Sequence, residues 1–151
     1  MNEPRTGFTP ADLREAALRL LARREHSVRE LSRKLQRKGW PGREVEQIIA
    51  ELAEQGLQSD ERFAESFART RAEKAYGPVR IRAELSERGI DRTLAQRAIN
   101  ELDIDWLAQA AKWFARRYGE TRAEDFKEKS RRRQALARRG FEESVIRELT
   151  D

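Results

Sequence analysis

The 151-residue chain carries a formal charge of +5, and its charged residues (39%) almost equal its hydrophobic ones (38%). It has no cysteine and a single histidine, which excludes a disulfide framework, a thiol nucleophile and a cysteine-histidine zinc site. No apolar run reaches the roughly eighteen residues of a membrane span and no signal-peptide core opens the chain, so it reads as a cytoplasmic protein of thin helical layers with a large wetted surface.

In chain order, residues 1–8 read as a flexible tail. Thr9 then caps a helix with Pro10 at its first position and Asp12 in its first turn, and Leu13, Ala16, Ala17, Leu20 and Leu21 form its apolar stripe. His26 falls at the turn that follows and is assigned no function. Ser27 and Glu30 have the S-x-x-E spacing of a capping box, opening a second helix with Val28, Leu31 and Leu35 on one face. Pro41-Gly42 turns the chain into a third helix that buries Val45, Ile48, Ile49 and Leu52.

The order then repeats. Ser59 caps a helix with Asp60 and Glu61 in its first turn, where negative charge suits the helix dipole, and Phe63 and Phe67 give it a stripe. Gly77-Pro78 ends that segment and opens the next helix, since proline at a first position forfeits no hydrogen bond. This helix carries Ile81 and Leu85, and another follows with Leu94, Ala98, Ile99 and Leu102. A third set opens at Asp105-Trp106, places Ala110, Trp113 and Phe114 inward, runs through a polar connection from Tyr118 to Asp125, and ends in a short helix with Val145, Ile146 and Leu149. Asp125 and Glu128 are expected to cap its middle helix, which Lys127, Lys129, Arg131, Arg132, Arg133, Arg138 and Arg139 crowd with charge. The aromatics Trp40, Phe63, Phe67, Trp106, Trp113 and Phe114 read as core, with Trp40 partly exposed.

One phrase marks the period. A leucine, three residues, a glycine and a large apolar residue recur at Leu35 to Trp40, Leu85 to Ile90 and Leu136 to Phe141. Each has the form of a left-handed glycine stop whose last residue folds back onto the leucine. The glycines at 39, 89 and 140 recur about every fifty residues, as in repeat architectures. The expectation is an all-α, elongated and curved array of three tandem three-helix, helix-turn-helix-like repeats, over residues 9–58, 59–104 and 105–151.

No enzyme constellation is present. The chain lacks the phosphate-cradling G-x-x-x-x-G-K, the dinucleotide G-x-G-x-x-G and the nucleophile elbow G-x-S-x-G. Its carboxylates lie on charged helices, where ion pairing is their ordinary role. No cofactor, metal or catalytic residue is expected.

Tandem helix-turn-helix units suggest DNA readers, in which the last helix presents basic and amide side chains to base edges. In the first repeat that helix carries Glu44, Glu46, Glu51 and Glu54 beside Arg43, a charge that phosphates would repel. The positive charge sits on the middle helices: Arg33, Lys34, Arg37 and Lys38 in the first repeat, Arg80, Arg82 and Arg88 in the second, and Arg131, Arg132 and Arg133 in the third. Arg69, Arg71, Lys74 and Tyr76 add a basic and aromatic patch in the central repeat. Such a pattern favours contact with a polyanion backbone over base reading, although the ring of Tyr76 is expected to pack beside the Gly-Pro turn.

The central repeat also resembles a known family. S-D-E-R-F-A at 59–64, the Arg69-x-Arg71-x-x-Lys74 spacing, G-P-V-R-I at 77–81 and E-L-x-x-R-G-I at 84–90 are similar to the RecX family of recombination regulators, whose members share this size and repeat plan. The sequence departs from the family at Ala75, where glycine is common, with Gly77 expected to keep the turn open. The resemblance implies a negative regulator of the RecA recombinase, and a monomer is expected. It would bind in the groove of the RecA filament on single-stranded DNA, suppress its ATPase, strand-exchange and co-protease activities, and make weak direct DNA contacts through the basic residues named above. Two alternatives stand beside it: a sequence-independent DNA-binding protein with no recombinase partner, and a structural adaptor whose charge is solvated surface.

Overall fold

The computed structural model describes residues 9–151; the flexible tail expected at 1–8 lies outside them. The described residues form nine helices and three tandem three-helix repeats: α1 (Pro10–Arg23), α2 (Val28–Arg37) and α3 (Gly42–Glu54), then α4 (Asp60–Glu73), α5 (Pro78–Glu87) and α6 (Arg92–Glu101), then α7 (Trp106–Tyr118), α8 (Phe126–Arg139) and α9 (Glu143–Thr150). The all-α fold follows from the 3.6-residue period of the apolar positions and from the residues that start and stop each helix.

Six of the nine described starts carry a short polar side chain that accepts from an orphan backbone N–H group. Thr9 and Asp12, and Ser27 and Glu30, form reciprocal capping boxes. Ser59 accepts from the Arg62 N–H at 3.1 Å. Asp91, Asp105 and Asp125 accept at the third position of α6, α7 and α8. The stops follow the recurring phrase. Gly39 has φ +102° and Gly140 φ +94°; the Trp40 and Phe141 N–H groups return to the Leu35 and Leu136 carbonyls, both at 3.2 Å. Gly89 is likewise left-handed, and the Ile90 that follows it is buried.

The turn after α4 differs from the expectation. Gly77 does not relieve it, because the left-handed residue is Ala75 itself, at φ +65°. The Ala75 and Tyr76 N–H groups close the helix on the Ala72 and Arg71 carbonyls at 2.9 and 3.1 Å. An L-residue there carries a strain of about 1–2 kcal/mol that glycine would avoid.

The described residues divide into two units, 9–66 with 88–90 and 67–87 with 91–151. In the first, Leu13, Ala17 and Leu20 of α1, Leu31 and Leu35 of α2, and Val45, Ile48, Ile49 and Leu52 of α3 make one buried cluster, with Trp40 partly buried against it. Val28, expected on the apolar face of α2, is exposed. It is the first residue of that helix, and its backbone N–H is used instead, donating to Asp60 Oδ1 at 2.8 Å.

In the second unit, Ala110, Leu136, Phe141 and Ile146 form the core of α7 to α9, with Trp106, Trp113, Phe114, Val145 and Leu149 half-buried around it. Ile81 and Leu85 of α5 and Ala95, Ala98 and Ile99 of α6 are buried. Ala95 takes an inward place, whereas Leu94 and Leu102 are only half-buried.

Candidate functional site

Apart from Arg71 and Arg80, the cations singled out in the sequence fall into three kinds. Arg33 and Arg37 on α2, Lys38 just past its end, and Arg69 and Lys74 on α4 and its end are exposed, as is Arg131 on α8, which lies 3.8 Å from Glu128. A second kind is tied to side chains nearby. Lys34 reaches His26 Nε2 at 2.9 Å, Arg82 donates to Gln96 Oε1 at 2.7 Å, Arg88 lies 3.9 Å from Glu30, and Arg133 donates to Thr150 Oγ1 at 2.9 Å and Asp151 Oδ1 at 2.6 Å.

The third kind is turned inward. Arg132 is 8% exposed. It donates to the Thr121 carbonyl at 2.7 Å and Glu128 Oε1 at 3.2 Å and lies over the Tyr118 ring at 4.6 Å. It therefore holds the α7–α8 connection in place, while its sequence neighbour Arg131 faces solvent. A helix turns 100° per residue, so three consecutive arginines cannot share one face.

Arg71, Tyr76 and Arg80 do come together, with partners the sequence did not assign to the patch. The guanidinium carbons of Arg71, Arg80 and Arg139 lie 4.0, 4.4 and 4.6 Å from the centroid of the Tyr76 ring. That range is favourable for a cation above an aromatic face. Arg139 also lies 5.2 Å from the Trp113 ring. Tyr76, Arg80, Trp113 and Arg139, with Arg117, Ala135 and Arg138, surround a cleft of about 440 Å³, and Arg71 lies outside its lining.

The backbone builds the cleft. The C-terminal carbonyls of α8 meet the N-terminal N–H groups of α5: Gly77 donates to Arg139 at 2.7 Å and Val79 to Gly140 at 2.9 Å. Each helix end thus satisfies the orphan groups of the other, and the negative end of one dipole faces the positive end of the next. Arg80 Nη1 adds a bond to the Arg138 carbonyl at 3.0 Å, and Arg139 Nη1 reaches the Lys74 carbonyl at 3.2 Å. Three helix termini are fixed by two arginines.

The charge in this cluster is only partly balanced. Glu84 accepts from Arg71 at 2.8 Å and from Arg80 at 3.1 Å, so one carboxylate serves two guanidiniums. Among the described residues Arg117, Arg138 and Arg139 form no ion pair with a carboxylate. Arg71 Nε is buried without a hydrogen-bond partner, and the Tyr76 face is the contact that compensates it.

A separate polar network ties the first unit. His26 is buried; its Nδ1 donates to the Arg24 carbonyl at 3.0 Å, and its Nε2 accepts from Lys34. Burial holds the imidazole below its ordinary value, aided by the Arg24 and Lys34 charges. Burial likewise lowers Lys34, with the Arg24 charge adding to it. Burial works against the charge on Glu30, but hydrogen bonds from Arg24 and the Ser27 N–H prevail and hold its carboxyl low. Buried Gln58 donates to the His26 carbonyl at 3.2 Å and to Asp60 Oδ1 at 3.0 Å. This network ties the turn before α2 to the start of α4.

Among the described residues no group of three His, Asp or Glu side chains is placed to hold a metal ion, and no helix is long and apolar enough to cross a membrane. Family models match the chain in three segments: the first three-helix domain of RecX at residues 14–52, the second at 59–99 and the third at 103–149. The regulatory protein RecX of Halorhodospira halophila is 45% identical over 93% of this chain and 88% of its own, and that of Pseudomonas entomophila is 40% identical over 93% and 91%. The crystal structure of RecX from Lactobacillus salivarius superposes with a TM-score of 0.74 at 26% identity, covering 93% of both chains. With all three repeats matched in order and relatives this similar along nearly the whole length, the chain belongs to the RecX family of regulatory proteins.

Proposed function

We propose that this chain is a negative regulator of RecA that lies in the groove of the RecA filament on single-stranded DNA and suppresses its ATPase, strand-exchange and co-protease activities. The observation that carries this reading is membership of the RecX family over 93% of the chain, a family of non-enzymatic regulators with a role toward RecA. The repeats, at residues 9–58, 59–104 and 105–151, are the binding modules. Their exposed cations, Arg33, Arg37, Lys38, Arg69, Lys74 and Arg131, supply contact to acidic protein or phosphate surfaces. Because each module engages its own stretch of filament, weak contacts add through avidity. With no catalytic group of its own, the protein changes ATP turnover by favouring one filament state over another.

The test is co-sedimentation with RecA filaments assembled on single-stranded DNA. The protein should pellet with filaments at concentrations where it does not pellet with the naked strand. Equal sedimentation with both would favour the alternative, a sequence-independent DNA-binding protein without a recombinase partner.

A further inference from the structure

We propose that His26 is a proton-operated latch on Lys34: the neutral ring holds the lysine ammonium inward, and the protonated ring releases it to join Arg37 and Lys38 on the exposed basic face of α2. The device concerns the first repeat and stands apart from regulation of RecA.

The hydrogen bonds fix the protonation state of the ring. His26 is 1% exposed, and both of its nitrogens are engaged. Nδ1 lies 3.0 Å from the Arg24 carbonyl, which can only accept, so Nδ1 carries the proton. Nε2 lies 2.9 Å from Lys34 Nζ, whose ammonium can only donate, so Nε2 is bare. A proton on Nε2 would set one donor against another at that distance, and the two groups would have to part. The backbone of His26 is tied down, since Gln58 donates to its carbonyl and also to Asp60. Lys34, on a flexible four-carbon stem, is the member free to move.

The charges around the pair leave no counter-ion for an imidazolium. Arg23, Arg24 and Glu25 stand at the end of α1 and in the turn after it, and Glu30, Lys34 and Arg37 on α2. Asp60 and Arg62 approach from the start of α4, and Arg88 from just past α5. Every carboxylate in this set is committed. Glu30 binds Arg24 at 3.0 Å and the Ser27 N–H at 3.3 Å and lies 3.9 Å from Arg88. Glu25 binds Arg62 at 3.0 Å, and Asp60 accepts from Gln58 and the Val28 N–H. Burial and the Arg24 and Lys34 charges therefore disfavour the proton, so the latch is closed at neutral pH and opens in mild acid.

Release supplies a cation. Lys34 is half-buried, whereas Arg37 and Lys38, three and four residues further on and so on the same side of the helix, are exposed. Freed, the Lys34 ammonium becomes a third charge on that face, offered to a polyanionic surface. His26 is the single histidine of the chain, so no other side chain has its ordinary titration between about pH 5 and pH 8.

The experiment is a pH series of binding to fluorescein-labelled heparin in about 0.1 M salt, with the full chain and no RecA. Heparin sulfates stay ionised throughout, so a change in affinity belongs to the protein. Between about pH 7.5 and about pH 5.5 the affinity of the unmodified chain should rise roughly threefold more than that of His26→Gln or Lys34→Ala, the worth of one exposed ion pair. The variants share any titration of carboxylates but lack the latch, and circular dichroism checks that their helices remain. Nitrogen NMR of the unmodified chain reads the ring directly: at about pH 7.5 it should be neutral with its proton on Nδ1, and its midpoint should fall below 6.5. Equal rises in all three proteins, no rise in the unmodified chain, or a ring that at about pH 7.5 is protonated or carries its proton on Nε2 would each overturn the proposal. RecA inhibition on the same samples is independent: inhibition without the pH step refutes the latch and leaves the regulatory reading in place, and the pH step without inhibition does the reverse.

Discussion

Gly77 donates its N–H to the carbonyl of Arg139 at 2.7 Å, joining the start of α5 to the end of α8 across sixty-two positions of sequence. The approach is possible because neither backbone carries a side chain at the meeting point. A Cβ on Gly77 would collide with the Gly140 carbonyl, and one on Gly140 with the backbone of Arg80. Gly39 occupies the same place in the repeat phrase with open space around it. Alanine at 39 should therefore cost only the left-handed strain of about 1–2 kcal/mol. Alanine at 140 adds overpacking, for about 2–5 kcal/mol in all. Urea unfolding of the two variants measures the difference, and equal losses would refute the close approach.

Ala75 offers the opposite change. It is held at φ +65° in the turn that carries Tyr76 into the arginine cluster. Ala75→Gly should raise stability by about 1 kcal/mol, seen as a higher urea midpoint with an unchanged slope. A loss would mean that the entropy of the unfolded glycine chain outweighs the relief of strain.

Arg131 and Arg132 separate binding from folding within one run of charge. Arg132→Ala removes bonds to Thr121 and Glu128 and a stacked ring contact, and should cost about 2–3 kcal/mol. Arg131→Ala, at an exposed site, should stay within about 0.5 kcal/mol. Thermal melts of the pair decide this; equal effects would contradict the inward placement of Arg132.

Acid should weaken the first unit through His26 and Glu30. The folded state holds His26 below 6.5, so as pH falls through that value the unfolded chain binds the proton more readily and stability drops. Protonation also ends the acceptor role of Nε2 toward Lys34. Glu30, held below 4.5, contributes stability that is lost at still lower pH. Lys34 remains charged in both states over this range and adds no slope. The urea midpoint should decline from about pH 7 to about pH 5, and His26→Gln should flatten that decline. A midpoint unchanged over this range would contradict the buried neutral imidazole.

The helices and their ends were legible because their causes are local. A capping serine, a proline at a first position and a leucine-to-glycine phrase all act within five residues. The arginine cluster was not legible, because Arg139 meets Tyr76 through a contact between distant helix ends that no period or spacing encodes. Arg138 and Arg139 could be seen as charge on α8 but not as a wall of a cleft, and Trp113 as apolar but not as the face of one. Arg132 was misleading for a related reason: its type fits a surface, and only the polar α7–α8 connection, with its carbonyl at Thr121, makes burial affordable. Arg80 illustrates the functional consequence. The charge reversal Arg80→Glu would break the bond to the Arg138 carbonyl, so Arg69→Glu and Lys74→Glu are the cleaner probes of the surface.

The central claim is regulation of the recombinase, and the most direct measurement is the single-stranded-DNA-dependent ATPase of RecA with this protein titrated below one molecule per recombinase. Strong loss of turnover at substoichiometric amounts is the predicted result, because a filament-bound regulator acts on more than one protomer whereas competition for DNA requires enough protein to cover the strand. Loss of turnover only at saturating excess, or none, would contradict the account.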